Sequence, residues 1–389
     1  MIEFEKESST QKPLARIKVL GVGGAGGNTI NTMIDGKTEG LDFLVANTDA
    51  QTLKLSKTVN RIQLGTKSTK GLGAGANPEV GRRAAEEDLS RIIEMLDDSD
   101  VVFLTGGLGG GTGSGALPVI ARALKERNIL SIAVVTKPFA FEGKRRMRVA
   151  EEALESLKRE VDTLVVIPNQ KLLELAQEDI SLVNAFGIIN EMINQCVKSI
   201  SDIIVKPGHI NVDFADVRTT MKDSGVAVMG TGKGTGPTRA YDAVEQALFS
   251  PLLENLKIDQ ARGVLLNITG SSALGLHEVS QAASLVYEAV HEDANIIFGS
   301  VIDEAMGDTV MVTVVATGFS PRVMPAHQPQ ADHISYSKQA QSSQHINQPF
   351  STHTVSAQQD ELKDVDMSDL EVPALVRRAA QRMQSHNPM

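Results

Sequence analysis

Two aspartates three residues apart and two runs of glycine are the parts of this 389-residue sequence that could do chemistry. The aspartates lie in NVDFADV, residues 211–217, where Asn211, Asp213 and Asp216 could orient a water molecule or a magnesium ion for attack on a phosphoanhydride. The same pattern also suits an Asp-rich turn that caps a helix. The first glycine run, GVGGAGGN (21–28), follows the apolar stretch IKVL, and Gly21, Gly23 and Gly26 satisfy GxGxxG. Its bland reading is a tight strand-to-helix turn. The second, GGLGGGTGSGA (106–116), has seven glycines in eleven residues and no lysine. So many glycines cost backbone entropy, and a flexible turn does not account for them.

Such loops at the carboxyl ends of neighbouring parallel strands face one crevice. Each offers backbone N–H groups and a helix N-terminus, so polyphosphate can be gripped there without a lysine. Thr112 and Ser114 add hydroxyls. Asn47-Thr48-Asp49, the segment GLGAGANPE (71–79), and FEGKRRMR (141–148) belong near the same rim.

The elements that must position these residues follow from the apolar pattern. Candidate strands at 17–20, 42–46, 61–64, 101–105, 131–135 and 163–167 alternate with helical segments, clearest at 77–96 and 114–127. Continuous apolar strands alternating with helices predict a mostly parallel, doubly wound α/β sheet. One long helix follows at 181–205, apolar at Leu182, Phe186, Ile189, Ile193, Val197, Ile200 and Ile204, with an arc broad enough for burial between two bodies. A second α/β pattern has strands at 225–230, 263–269, 295–302 and 309–317 and helices at 238–249 and 276–293.

The expected organisation is a flexible arm (1–14), a nucleotide-binding domain (15–180), a central helix (181–208), a smaller α/β domain with the aspartate loop (209–319), a Gln/Ser/His/Pro-rich disordered linker (320–359) and a terminal motif (360–389). The linker histidines have irregular spacing and match no zinc pattern.

Net charge is −10, which argues against nucleic acid as a main partner. A lone cysteine, Cys196, fits a reducing compartment. The polar N-terminus lacks a signal-peptide core, and no apolar run reaches the roughly 18 residues of a membrane span. A soluble, cytoplasmic chain without direct membrane insertion is expected.

Asn190 lies near the start of the long helix, at the edge of its apolar arc, where it could reach a bound base. From there to residue 208 the helix rises roughly 27 Å at 1.5 Å per residue. One chain cannot easily bring both Asn190 and Asp213 to one nucleotide, whereas two chains stacked head to tail can. A heterologous contact of that kind propagates as a filament.

GGGTGSG (109–115) matches the tubulin-type signature, and NVDFADVRTTM (211–221) resembles the catalytic loop of the tubulin/FtsZ family. GVGGAGGN, ANTDAQ, KPFAFEGKRR, IPNQKLL and ARGVLLNITG resemble the same family and come in its order. The resemblance covers about 15–319 and the terminal motif. It implies a GTP-binding and hydrolysing protein that polymerises head to tail into protofilaments and forms the cell-division ring beneath the inner membrane.

By the same resemblance, Gly24, Ala25, Gly26, Gly27 and Asn28, with Gly107, Gly110, Gly111, Thr112 and Gly113, hold the phosphates of GTP or GDP. Asn47 and Asp49 lie close by. Glu142 and Arg146 lie at the ribose, and Asn169, Asn190 and Glu191 read or flank guanine. Asn211, Asp213 and Asp216 act on the GTP of the adjacent subunit. Mg2+ is held mainly through phosphates and water, with no dedicated protein ligands. The segment Asp369–Arg378 is where membrane-tethering and regulatory division proteins dock. Ala25 stands where the family often has glycine, and Leu375 stands in the aromatic position of the terminal motif.

Two other readings stay open. A dinucleotide-dependent dehydrogenase would use the first loop and Asp49 on the ribose, but leaves the second loop and the aspartates unexplained. A nucleotide-gated scaffold without turnover would not need Asp213 and Asp216.

Overall fold

The computed structural model describes residues 15–175, 181–206, 212–250, 253 and 258–319. The chain opens with β1 (Ile17–Val22), α1 (Gly23–Asp35), β2 (Asp42–Asn47), α2 (Ala50–Lys54) and β3 (Asn60–Gln63). It continues with α3 (Pro78–Glu87), α4 (Leu89–Glu94), β4 (Val101–Gly107), α5 (Thr112–Glu126) and β5 (Leu130–Lys137). Then come α6 (Lys144–Glu160), β6 (Thr163–Pro168), α7 (Asn169–Leu175) and the long α8 (Leu182–Val205). The later part holds α9 (Phe214–Met221), β7 (Gly225–Thr235), α10 (Arg239–Leu248), β8 (Gly263–Gly270), α11 (Leu276–Ala289), β9 (Asn295–Ile302) and β10 (Thr309–Thr317).

All ten strands join one sheet in the order β3-β2-β1-β4-β5-β6-β7-β10-β8-β9. From β3 to β7 every pairing is parallel. β10 runs antiparallel to both β7 and β8, and β8 pairs in parallel with β9. The mostly parallel α/β sheet expected from the apolar strands is what forms. Its weakest seam is β6–β7, registered only over Thr163–Val165 against Gly225–Ala227.

Helices cover both faces. On one, α3 to α6 bury Ala84, Ile92, Leu117, Ile120 and Leu157 against Leu20, Leu104 and Val135 of the strands. On the other, Ile189, Ile193, Val197 and Ile200 of α8 share a core with Val19, Phe103 and Ile132 and also with Leu265, Ile297 and Val315. The broad apolar arc of α8 thus packs against strands from both halves of the chain. The helix starts at Ser181, whose hydroxyl accepts the Asn184 N–H at 3.2 Å. Its first turns stay exposed at Leu182, Val183, Phe186 and Ile188, although the spacing of Leu182 and Phe186 places them on the core stripe.

The helical pattern at 77–96 is two helices, broken at Asp88. Asp88 is at once the C-cap of α3 and the N-cap of α4: its backbone carbonyl accepts the Ile92 N–H at 3.1 Å, and its carboxylate accepts the N–H of Gly65 at 2.7 Å. The pattern at 276–293 ends as a helix at Ala289.

Candidate functional site

The carboxyl ends of β1, β4, β5 and β6 open onto a cleft of about 280 Å³. Its walls include Val22, Gly23, Gly24 and Ala25 from the first glycine loop and Gly107, Leu108 and Gly110–Gly113 from the second. The rim is made by Thr136, Pro138, Glu142, Arg146, Asn169 and Phe186.

The helices that follow the two glycine loops, α1 and α5, start at this cleft without a side-chain N-cap. α1 begins after Val22, and α5 after Gly111, without a capping hydrogen bond or an acid in the first turn. By contrast, Asp49 caps α2, Asn77 caps α3 and Ser181 caps α8. The first N–H groups of α1 and α5 are therefore left to whatever lies in the cleft, and the helix dipoles favour an anion there.

The glycines divide by what surrounds them. A Cβ on Gly26 would stand 2.6 Å from the Thr105 carbonyl oxygen, and one on Gly113 would stand 2.5 Å from that of Gly107. These glycines let helix and strand backbones touch. A Cβ on Gly24 or Gly110 would meet no protein atom within 4 Å. Gly23 has φ +76°, a left-handed conformation in which glycine is unstrained.

Side chains define the far end of the cleft. Glu142 Oε1 accepts the Phe139 N–H at 3.0 Å, and its other oxygen pairs with Arg146. The ring of Phe186 meets Phe139 edge-on at 5.5 Å and remains 40% exposed, presenting an apolar face beside Asn169. Asn169 is 4% exposed, and its Oδ1 has no hydrogen-bond partner. A buried amide oxygen costs free energy when unsatisfied, so a donor arriving in the cleft would relieve it.

Of the residues singled out by sequence, Gly24, Ala25, Gly107, Gly110, Gly111, Thr112, Gly113, Glu142, Arg146 and Asn169 line this one cleft. The others have different surroundings. Gly26 and Gly27 are buried, and Asn28 is exposed outside the lining. Asn47 is buried, and its side chain accepts the Asp49 N–H. Asp49 accepts from Gln51 and Thr52, bonds that hold its carboxyl below the usual range, the Thr52 hydroxyl bond counting most. That is a helix cap, and it engages the acid that a dehydrogenase would turn to a ribose. Ser114 ties the second loop, accepting the Gly109 N–H at 2.9 Å.

Asn190 accepts the Thr29 hydroxyl at 3.1 Å, which docks α8 on α1 behind the first loop. Glu191 accepts from Asn194 and Gln195. The lining also holds residues that spacing did not single out: Leu108, Thr136, Pro138 and Phe186. Phe186 has the spacing of a core residue, and the sequence alone does not reveal its exposure.

The aspartates lie elsewhere. Asp213 stands at the N-cap position of α9 and Asp216 in its first turn, both exposed; Asn211 falls outside the described residues. Asp216 lines a separate recess with Val212, Thr219 and the start of β9. No residue of α9 lines the nucleotide-sized cleft. From Phe186 at the cleft, α8 runs on to Val205, a rise of about 28 Å. Among the described residues no three His, Cys, Asp or Glu side chains gather as a metal site, and no helix is long and apolar enough to cross a membrane.

Known proteins share this architecture. The profile of the Tubulin/FtsZ family, GTPase domain, matches residues 16–177, and that of the FtsZ family, C-terminal domain, matches 225–320. The cell division protein FtsZ of Caulobacter vibrioides is 52% identical over 303 residues, which is 78% of this chain but 60% of that protein's length. FtsZ of Coxiella burnetii is 46% identical over 381 residues, covering 96% of this chain and 98% of the relative. A solved FtsZ dimer from M. jannaschii superposes with a TM-score of 0.76 at 45% identity, over 79% of this chain and 89% of that one. The chain belongs to the Tubulin/FtsZ family.

Proposed function

We propose that this chain binds GTP in the cleft and hydrolyses it to GDP and phosphate when a second copy stacks on it head to tail. Such stacking builds the protofilaments of a cell-division ring. The observation that carries the reading is the separation of the two halves of the chemistry. The cleft has phosphate-gripping backbone, and the acid in its lining, Glu142, is engaged by Arg146 and the Phe139 N–H, whereas Asp213 and Asp216 stand exposed at the start of α9, beyond the far end of α8. A heterologous contact would bring the aspartates of one copy to the cleft of the next, and repetition of that contact makes a filament.

The cleft is suited to the nucleotide. Backbone N–H groups of the two loops and two uncapped helix ends take the phosphates, and Gly24 and Gly110 leave room for them. Glu142 and Arg146 stand where a ribose would lie. The orphaned Asn169 oxygen accepts a donor from guanine, while Phe186 covers the base. Mg2+ would be held through phosphate oxygens and water.

In the assembled junction, Asp213 and Asp216 of the neighbouring chain orient a water and take its proton as its oxygen attacks the γ-phosphorus. The bond to the bridging oxygen breaks, and the helix N-termini meet the charge that gathers on GDP. The terminal segment Asp369–Arg378, which lies outside the described residues, is the docking site for membrane-tethering and regulatory partners.

The deciding measurement is GTP turnover per chain against protein concentration, with Mg2+ present. A rate near zero below a threshold and steep above it is expected. A rate per chain that does not change with concentration would refute the two-chain site. Asp213→Ala should still bind GTP and join filaments, with turnover lowered about 100-fold or more.

A further inference from the structure

The amino ends of β5 and β6 carry a second polar pocket. It encloses about 300 Å³ and is lined by Lys125, Asn128, Asp162, Arg218, Lys222 and Asp223, with Ile129 and Leu130 as its apolar floor. Leu130 opens β5 and Asp162 directly precedes β6, whereas Thr136, Pro138 and Asn169 of the cleft lie at the other ends of these strands. The two pockets are therefore separated by the length of β5, about 23 Å at 3.3 Å per residue.

Several cations elsewhere in the described residues are neutralised by a carboxylate. Lys18 pairs with Asp98, Arg82 with Glu79 and Arg239 with Glu278. Arg218 instead donates one Nη2 bond to the Asn128 carbonyl at 2.9 Å, and Lys125 donates to the Arg159 carbonyl at 3.0 Å. Neither bond neutralises charge. Lys222 is exposed and has no carboxylate partner among the described residues. Of the two acids, Asp162 has its Oδ2 committed to the N–H and hydroxyl of Ser131, each at 2.9 Å. With Asp223 as the other acid, three cations face two carboxylates and the pocket is left positive by one.

We propose that this pocket is a binding site for inorganic phosphate, held by Arg218 of α9, by Lys222 directly after that helix, by Lys125 in the last turn of α5 and by Asn128 in the turn that leads to β5. The donor set fits a tetrahedral oxyanion better than a carboxylate. A guanidinium fork, two ammonium groups and a side-chain amide approach from different elements, and phosphate offers an oxygen to each. Because Arg218 lies two residues after Asp216, a bound phosphate would also tie α9 to the α5–β5 turn. The site stands on its own residues and does not depend on what the cleft binds.

Equilibrium dialysis with radiolabelled inorganic phosphate tests it, using the full chain and two variants. The double variant Lys125→Gln/Lys222→Gln changes two exposed side chains, so its fold should be retained, and far-UV circular dichroism checks this. Gly110→Ala alters the cleft alone. Wild type and Gly110→Ala should bind one phosphate per chain saturably, with binding weakened about tenfold or more in the lysine variant. Absence of saturable binding in the wild type would overturn the proposal. So would binding that survives in the lysine variant, or that is lost only in Gly110→Ala, since that would put the phosphate in the cleft.

Discussion

The two glycine loops read alike in sequence, yet each divides its glycines between two jobs in different proportions. In the first, Gly21 and Gly26 are pressed together, a Cβ on Gly21 falling 2.7 Å from the Gly26 carbonyl carbon, and Gly24 has open space. In the second, crowding dominates. A Cβ on Gly111 would stand 2.8 Å from the Asn77 nitrogen, and one on Gly115 would stand 2.5 Å from the Arg82 nitrogen. Of that loop's glycines, Gly110 is the one with no protein atom within 4 Å of such a Cβ. Gly111 and Gly115 let α5 lie against α3 and its cap, while Gly106 and Gly107 crowd the first loop at Val22 and Ala25, and Gly109 crowds Arg146. Glycine richness marks a close approach of backbones first, and of backbone to ligand only at particular positions.

Crowded positions should fail by unfolding. Gly115→Ala drives a methyl into the backbone of Pro78 and Arg82, which cannot move without separating α3 from α5. Overpacking against main chain should cost about 3 kcal/mol, a fall in Tm of roughly 5 °C for a body of this size. Scanning calorimetry checks this, and an unchanged Tm would break the division between crowded and open glycines.

Open positions should fail by losing ligand. Gly110→Ala should leave Tm within about 2 °C, yet weaken GTP by about tenfold or more, because its methyl enters the cleft (1.4 kcal/mol per tenfold). Gly24→Ala sits in the first turn of α1 and should, if anything, stabilise the empty protein by about 0.5 kcal/mol while also weakening GTP. Calorimetric titration with GTP separates the outcomes. Unaltered affinity in both variants would mean that the open space serves no phosphate.

The strands, α8 and both loops were legible because their signals are local: apolar runs, a three-and-four spacing, glycines after a strand. What was illegible rests on contacts between distant residues. The pattern 77–96 breaks at Asp88, whose carboxylate meets Gly65, 23 residues away. Asn190 spends its oxygen on Thr29 across 161 residues, so its position on the helix said little about its partner. Phe186 has core spacing but lies where α8 runs past the sheet into the cleft, and exposure is a tertiary property. Thr136 and Pro138 line the cleft because β5 ends there, and neither residue type announces it.

The smallest effect should come from the link between the loops' supports. Thr48, at the end of β2, is fully buried, and its hydroxyl lies 2.7 Å from that of Thr112, the first residue of α5. The pair fastens the start of the second loop's helix to the strand beside the first loop. Thr112→Val keeps the shape and removes the partner, leaving the Thr48 hydroxyl buried beside a methyl. That should cost about 1 kcal/mol of folding free energy, read as a lower urea midpoint with unchanged slope. Thr112→Ser should restore most of it. Recovery in Ser but not Val ties the loss to the hydrogen bond. A loss in Ser with none in Val would assign it to the Thr112 methyl, and the two loops would then be coupled by packing alone.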